Sequence, residues 1–497
     1  MRRCEELNFQ AGTATPVELM QIAGTGCSLC FSQWLSAIKF LNCRRVVIFA
    51  GHGNNGGDGI VIASELTRHL NAEIVLAMSA DPENISPTSR YFFDRRSEQV
   101  TVVKADDCVL QTGDVIIDAL LGTGCHGQLH EPYAALVTKI NNSRLPVFSV
   151  DLPSGLGSDQ AVRADCTAVI GFFKDTLFTR QGIEHSGLLR RVPLPLPLAP
   201  EAAAEAPDAA DAAWFCSGTR ELGRNIHKYD RGNILIAGGS REYMQAPFLT
   251  GRGALRSGAG LVRMLLPYPA VPGSGTLALI PMQSPGDNQY LTAESFAALE
   301  NILPKVDVIA AGPGLGRHAN TLNFIKQLLR LDHPLLLDAD AIYFASQCPE
   351  LLRHRSAPTV LTPHAGEARM LAAGLQITLP DDELSAARML AASSGAVTVL
   401  KGPRTVIADP AGRTMINTSG TPALATAGTG DVLSGCIAAA MCRYQAWEAA
   451  ARGAFLHGAA GILGYCQYGS DGVIADDLPE FIAEAAARLR LYGDIFI

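Results

Sequence analysis

The sequence predicts an α/β protein of two three-layer domains, each a mainly parallel sheet covered by helices on both faces. Three observations carry this. Short β-branched runs alternate with helical patterns in both halves of the 497 residues. A Pro- and Ala-rich stretch interrupts that alternation at 193–215. Glycine-rich and polar turns follow the strand-like runs directly, where ligands sit in such folds. The length also exceeds one ordinary core.

The dividing stretch begins Pro193-Leu194-Pro195-Leu196-Pro197-Leu198 and continues from Ala199 to Trp214 in Ala, Pro, Glu and Asp, with no core-forming periodicity. It reads as a linker between a domain over 1–192 and one over 216–497. The net charge of −8 argues against nucleic acid or a polybasic membrane contact. No uninterrupted apolar stretch is long enough to span a bilayer. The start, Met1-Arg2-Arg3-Cys4-Glu5-Glu6, lacks the apolar segment of a secretory signal, so a cytoplasmic location is expected. Twelve cysteines are scattered, and Cys27 and Cys30 form the only C-x-x-C. With no second pair to complete a zinc site, they read as reduced, structural residues of a buried helix.

In the first half, Arg45–Ala50, Glu73–Met78, Val115–Ala119 and Pro146–Val150 read as buried strands, with helical patterns at Ile60–Leu70 and Pro132–Asn141. Gly51-His52-Gly53-Asn54-Asn55-Gly56-Gly57-Asp58-Gly59 follows the first strand and contains a formal G-x-G-x-x-G. A dinucleotide fingerprint is a poor reading, because Asp58 would oppose a pyrophosphate and no acidic residue ends the second strand. A polar loop for a sugar, an amide or a cation fits better. The third strand runs into Gly122-Thr123-Gly124-Cys125-His126-Gly127, and the fourth into Asp151-Leu152-Pro153-Ser154-Gly155. Asn55, Asp118 and Ser154 are then oxygen donors on neighbouring strand ends. Hard oxygens without His or Cys suit an alkali or alkaline-earth cation, though each alone is more often a cap or turn residue.

These three segments together resemble the NAD(P)H-hydrate epimerase family, over nearly all of the first half from Leu19-Met20 to Lys174. The resemblance implies a Rossmann-like epimerase domain with K+ held by Asn55, Asp118 and Ser154. It implies substrate contacts from Asn54, Asn55, Gly56, Gly57 and Asp58, from Gly122, Thr123, Gly124, Cys125, His126, Gly127 and Gln128, and from Asp151. Asp151 is the candidate acid/base that inverts the hydroxyl-bearing carbon. Lys174 is a candidate helper, with a solvated lysine as the alternative. Gln21-Ile22 departs from the Glu-Asn usual in that family.

In the second half, Asn233–Ala237, Val306–Ala310, Pro334–Asp338, Thr359–Thr362 and Val397–Lys401 read as strands. After them come Gly238-Gly239-Ser240, Gly312-Pro313-Gly314-Leu315-Gly316, Asp338-Ala339-Asp340, Thr362-Pro363-His364-Ala365-Gly366-Glu367 and Lys401-Gly402. Last comes Ala427-Gly428-Thr429-Gly430-Asp431, opening an apolar helix pattern at Val432-Leu433-Ser434-Gly435-Cys436-Ile437. Glycines at a helix start leave backbone N–H groups aimed at one spot with the positive dipole end behind them, which suits a phosphate. A carboxylate beside that hole can take the proton of an attacking hydroxyl. A tight turn with a dipole-pairing Asp is the plainer alternative.

The order of these pieces resembles the ADP- or ATP-dependent NAD(P)H-hydrate dehydratase, of the ribokinase-like superfamily, from about Cys216 onward. Both halves together resemble a bifunctional repair enzyme acting on hydrated NADH and NADPH (NADHX and NADPHX). The resemblance implies epimerisation of the R and S hydrates, then phosphorylation of the S hydroxyl at C6 and loss of phosphate. Asp431 would be the base. Gly428, Thr429 and Gly430 would hold the phosphoryl group. Lys401, Gly402, Pro403, Arg404 and Thr405, with Gly430, would hold the nucleotide, and Ala254, Gly314 and His364 the dinucleotide. Mg2+ with ADP or ATP is implied, ADP by analogy with bacterial fusions, and a homo-oligomer is expected. The competing readings are a ribokinase-type small-molecule kinase with a non-catalytic N-terminal binding module and, more distantly, an NAD-dependent dehydrogenase.

Overall fold

The computed structural model describes residues 4, 12–39, 41–197, 207–221, 223–269 and 278–496. They divide into two units, Met1–Ala206 with Phe496–Ile497, and Pro207–Ile495. The first unit contains strands β1 (Arg45–Ala50), β2 (Glu73–Met78), β3 (Thr101–Lys104), β4 (Asp114–Ala119), β5 (Val147–Val150), β6 (Cys166–Ile170) and β7 (Leu188–Val192), in one sheet of order β3-β2-β1-β4-β5-β6-β7. Every neighbouring pair is parallel. The order reverses direction between β1 and β4, so the turns after these two strands meet at the topological switch point.

The helix Pro16–Ala37 starts with a capping box, in which Thr15 Oγ1 accepts from Glu18 N–H while Glu18 accepts from Thr15 N–H. Its inner face carries Phe31 and Trp34, whose rings lie 5.4 and 5.7 Å from that of Phe148 on β5. Cys27 and Cys30 are buried on this helix, and burial raises the Cys27 pKa well above normal. The next helix is longer than the pattern implies. It spans Asn54–Leu66, so the glycine-rich segment read as a loop forms its first turns. Glycine disfavours helix on its own, and close packing explains its presence here. A Cβ on Gly56 would sit 1.9 Å from the Gly51 carbonyl oxygen, and one on Gly59 2.8 Å from Ala119 Cβ.

The second unit holds one sheet of ten described strands. They are β8 (Asp208–Ala210), β9 (Asn233–Ala237), β10 (Leu261–Leu266), β11 (Leu279–Gln283), β12 (Val308–Ala311), β13 (Leu335–Leu337), β14 (Thr359–Leu361), β15 (Val397–Leu400), β16 (Val406–Ala408) and β17 (Thr414–Asn417). Their order is β11-β10-β9-β12-β13-β14-β15-β16-β17-β8. The run from β11 to β15 is parallel. β15, β16 and β17 then pair antiparallel. The switch point lies between β9 and β12, where Gly239 N–H donates to the Pro313 carbonyl at 2.8 Å. Residues 208–215, which composition reads as linker, are instead structured. β8 pairs in parallel with β17, and Asp211 caps the helix Ala212–Ser217 by accepting from Trp214 N–H at 2.8 Å. The paired alanines Ala209-Ala210 and Ala212-Ala213 concealed that segment, since they carry little periodic contrast.

The helix Thr429–Met441 packs on the helix Ala246–Arg256 with almost no side chain between them. A Cβ on Gly435 would lie 2.1 Å from the Thr250 carbonyl oxygen, and one on Gly253 2.6 Å from that of Val432.

Candidate functional site

Each unit places a buried carboxylate at a strand end. Asp118, in β4, is fully buried. It accepts from Ser149 Oγ at 2.8 Å, Ser154 Oγ at 2.5 Å, Ser154 N–H at 2.8 Å and Leu120 N–H at 3.3 Å. Burial pushes its pKa up, and these bonds pull it only partly back. Ser154 Oγ in turn accepts from Leu121 N–H at 2.8 Å, and Asn55 Nδ2 donates to the Leu121 carbonyl at 3.0 Å. Asn55, Asp118 and Ser154 therefore converge around Leu121, supplied by the turns after β1, β4 and β5. Asn55, Asp118 and Ser154 carry hard oxygens without His or Cys, the residue types that could hold an alkali cation.

Asp151 follows β5 with φ of +66°, a left-handed conformation unusual outside glycine. It accepts from Lys174 Nζ and, at 3.1 Å, from Ile170 N–H. Lys174 also donates to the Ile170 carbonyl at 2.7 Å. Lys174 is thus an ion-paired, largely buried residue rather than a solvated one. A Cβ on Gly122 would lie 3.8 Å from both Asn55 Cβ and Asp151 Oδ2, so Gly122 joins the two clusters. Thr123, Gly124, His126, Gly127 and Gln128 are exposed on the same loop, with Cys125 partly so. Asn54 Oδ1 accepts from Ser86 Oγ at 3.2 Å. Gly56, Gly57 and Asp58 are buried inside the helix, Gly57 against Ser89 and Met20. Gln21, at the departure from the family pattern, is exposed and donates to Thr25 Oγ1 at 2.9 Å.

In the second unit, Asp338 follows β13 and is 1% exposed. It accepts from Lys401 Nζ at 2.9 Å, Thr362 Oγ1 at 2.7 Å and Ser434 Oγ at 2.7 Å. Burial opposes its charge, but the Lys401 ammonium and these bonds hold its pKa below the usual range. Lys401 Nζ also stands 3.7 Å from Glu367 Oε2. Burial works against the Lys401 charge too, and Asp338 and Glu367 outweigh it, so its pKa is raised. The next residue, Ala339, has φ of +46°, and Gly312 at +131° leaves room for the Asp338 carbonyl, which a Cβ there would meet at 1.8 Å. The Asp338 corner is thereby fixed from both sides.

Above this pair stands the start of the helix Thr429–Met441. Gly428 precedes it with φ of +88°, and no side chain caps its amides. A Cβ on Gly430 would lie 3.6 Å from Lys401 Nζ. Thr429 Oγ1 donates within the loop, toward the Leu424 and Thr426 carbonyls at 2.9 and 3.0 Å, leaving the amides as the anion-facing groups. Asp431 sits in this first turn. Burial, then the nearby Asp338 charge, push its pKa up to about 7, with Lys401 pulling the other way. A carboxylate tuned near neutrality beside an amide cradle and an ammonium can accept a proton from an alcohol as it attacks phosphorus.

The remaining expected residues divide. Gly314, φ +64°, packs on the Tyr243 carbonyl near the switch point. His364 caps the helix Ala365–Leu375, its Nδ1 accepting from Gly366 N–H at 2.9 Å, while its side chain is 60% exposed. Gly402 and Pro403 are exposed and Thr405 half-buried, whereas Arg404 is buried and its pKa pushed down to about 10 by that burial. Ala254 is fully buried where the two helices meet, near Gly435. Sequence reading assigned no role to Asp338, Glu367 or Ser434. The acidic pair Asp338 and Asp340 at a strand end was the available signal. His457 was also missed. It is buried, with Nε2 lacking a partner among the described residues, and burial lowers its pKa to about 4.

Both halves of the chain are similar to known proteins. The family model for NAD(P)H-hydrate dehydratase matches residues 234–484, and that for the YjeF-related protein N-terminus matches residues 16–176. A bifunctional NAD(P)H-hydrate repair enzyme of Salinibacter ruber is 36% identical, covering 95% of this chain and 92% of its own. That of Thermofilum pendens is 34% identical, covering 89% and 87%. A solved ADP/ATP-dependent NAD(P)H-hydrate dehydratase of Bacillus subtilis, co-crystallized with ATP/Mg2+, is 25% identical with a TM-score of 0.44, covering 57% of this chain and 99% of its own. With both family models matched in order and relatives aligned over nearly the whole length, the chain belongs to the family of bifunctional NAD(P)H-hydrate repair enzymes.

Proposed function

We propose that the chain restores hydrated NADH and NADPH, the first unit interconverting the R and S hydrates and the second dehydrating the S hydrate at the expense of ADP or ATP. The observation that carries this reading is Asp431, titrating at about 7 in the first turn of an uncapped helix beside Lys401.

In the dehydration step the C6 hydroxyl oxygen attacks the terminal phosphorus of the nucleotide and Asp431 takes its proton. The P–O bond to the departing nucleotide breaks, leaving AMP from ADP or ADP from ATP. The Gly428, Thr429 and Gly430 amides and Lys401 stabilise the charge gathered on the phosphoryl oxygens. The C6–O bond then breaks, a proton leaves C5, and phosphate departs as the dihydropyridine forms. Mg2+ accompanies the nucleotide and offsets phosphate charge. Lys401 to Thr405 line the nucleotide side, and Gly314 and His364 the dinucleotide side.

In the epimerisation step Asp151 handles the proton at the hydroxyl-bearing carbon, with Lys174 fixing the carboxylate. Asn55, Asp118 and Ser154 would hold K+, which would supply positive charge next to the substrate. Gly122 through Gln128 form the exposed loop beside Asp151.

The test supplies the full chain with both hydrates and either nucleotide, and follows the return of dihydronicotinamide absorbance. Nucleotide-dependent recovery beyond the S fraction is expected. Recovery stopping at the S fraction would remove the epimerase assignment. A stable phosphorylated product without recovery would replace the second assignment with a small-molecule kinase.

A further inference from the structure

Within the second unit, away from Asp431, lies a cavity of about 210 Å3. It is lined by the far half of the helix Thr429–Met441 at Cys436, Ala439 and Ala440, by the helices Ala446–Tyr468 and Leu478–Tyr492, and by the segment around Cys216. Its walls carry Arg220, Arg443, Arg452 and Arg490 against one acidic side chain, Glu221.

These arginines are not equivalent. Arg452 is structurally committed. It donates to Glu448 Oε1 and the Phe215 carbonyl, each at 2.8 Å, and its guanidinium lies 4.4 Å from the Tyr444 ring centroid. Arg443 is different. Its Nη2 donates to the Gly258 carbonyl at 2.7 Å, but its buried Nε has no partner among the described residues. Beside it stands Arg231, whose buried Nε likewise lacks one. A Cβ on Gly258 would lie 3.1 Å from Arg443 Nη2 and 3.7 Å from Arg231 Nη2, so the two guanidiniums converge. Among the described residues, Arg220, Arg443 and Arg490 form no ion pair. Arg220 and Arg490 are exposed and solvated, whereas Arg443 and Arg231 are half-buried side by side, and an anion reaching Arg443 from the cavity would relieve their repulsion. The floor, Ala439, Ala440, Leu456 and Leu489, is apolar.

We propose that this cavity is a second ligand site, taking a small phosphorylated molecule whose phosphoryl group meets Arg443 and Arg490 and whose short carbon body rests on the apolar floor. Guanidinium forks match phosphoryl oxygens in pairs, which a lysine would not. A space of this size, partly open to solvent, admits a compact phosphate ester. The occupant would touch Cys436, only about 7.5 Å along the helix from Asp431.

Cys216 lines the cavity, its Sγ donating to the Leu489 carbonyl at 3.3 Å, and it supplies a readout independent of catalysis. The full chain is alkylated with and without inorganic pyrophosphate, at ionic strength matched with KCl, and each cysteine is followed by mass. Cys348, elsewhere in the unit, is the reference. Pyrophosphate at about twice its Kd should slow Cys216 alkylation about threefold and leave Cys348 unchanged. Arg443→Gln with Arg490→Gln should remove the protection, and the exposed Arg490→Gln alone should weaken it if the double variant folds poorly. Equal Cys216 rates with and without pyrophosphate in the unaltered chain would overturn the proposal. So would protection that persists undiminished in the Arg490→Gln chain.

Discussion

Asp118 and Asp338 solve the same problem in opposite ways. Both are fully or almost fully buried at a strand end, and both accept from two hydroxyls, Ser149 and Ser154 in one case and Thr362 and Ser434 in the other. Among the described residues, only Asp338 has a cation of its own chain, Lys401 at 2.9 Å. The consequence shows in their titration: burial leaves Asp118 raised, whereas Lys401 brings Asp338 below normal. A buried carboxylate with a built-in ammonium already has its counter-charge. One without it is a place where an added cation gains most, which is the physical support for K+ at Asn55, Asp118 and Ser154.

The largest way to separate the two units functionally is Asp431→Asn. It should lower nucleotide-dependent dehydration by about 10^3-fold or more while epimerisation continues, measured as equilibration of the two hydrates by chromatography. Loss of both activities in a folded variant would contradict independent sites. Next comes Lys401→Met, which removes the cation that distinguishes Asp338. Breaking a buried pair on one side costs roughly 3–5 kcal/mol, so a marked fall in denaturant midpoint is expected. In the unaltered chain the depressed Asp338 pKa means its stabilising contribution is complete above the ordinary carboxylate range. It is lost as pH falls through the folded value.

Asp118→Asn should abolish the response of epimerisation to K+, read by replacing KCl with a tetraalkylammonium salt at constant ionic strength. A dependence on K+ surviving that substitution would place the cation elsewhere. The smallest expected effect is in pH. Asp431 acts as a base only when ionised, so kcat/KM for dehydration should fall about tenfold per unit below pH of about 7 and level off above it. A flat profile over roughly one pH unit either side of that value would remove Asp431 as the base.

Much of this was legible in sequence because parallel sheets bury both faces. β1, β2 and β9 are continuous apolar runs, and their limits follow from the residues alone. The turns at the two switch points were legible as glycine clusters. Other parts were not. The Asn54 helix begins six residues before Ile60 because Gly56, Gly57 and Gly59 serve close packing, which propensity counts against. Asp338 looked like a strand-ending carboxylate, and nothing local says that Lys401, far along the chain, will meet it. Lys174 was ambiguous for the same reason: its partner Asp151 is adjacent only across the sheet. Local pattern supplies the elements and their ends, and charge partners across strands appear only once the strand order is known.

The pairing of β8 with β17 carries a consequence for how the two activities can be parted. Met415, Ile416 and Asn417 lie in register with Asp208, Ala209 and Ala210, and Thr418 Oγ1 donates to the Ala210 carbonyl at 2.8 Å. A free-standing second half cut after Ala210 would bare the ladder of β17 and invite edge-to-edge association. Cut before Asp208, it would keep its own selvedge. The workable fission point therefore lies earlier than composition suggests, and the tail of the apparent tether belongs to the fabric of the second enzyme.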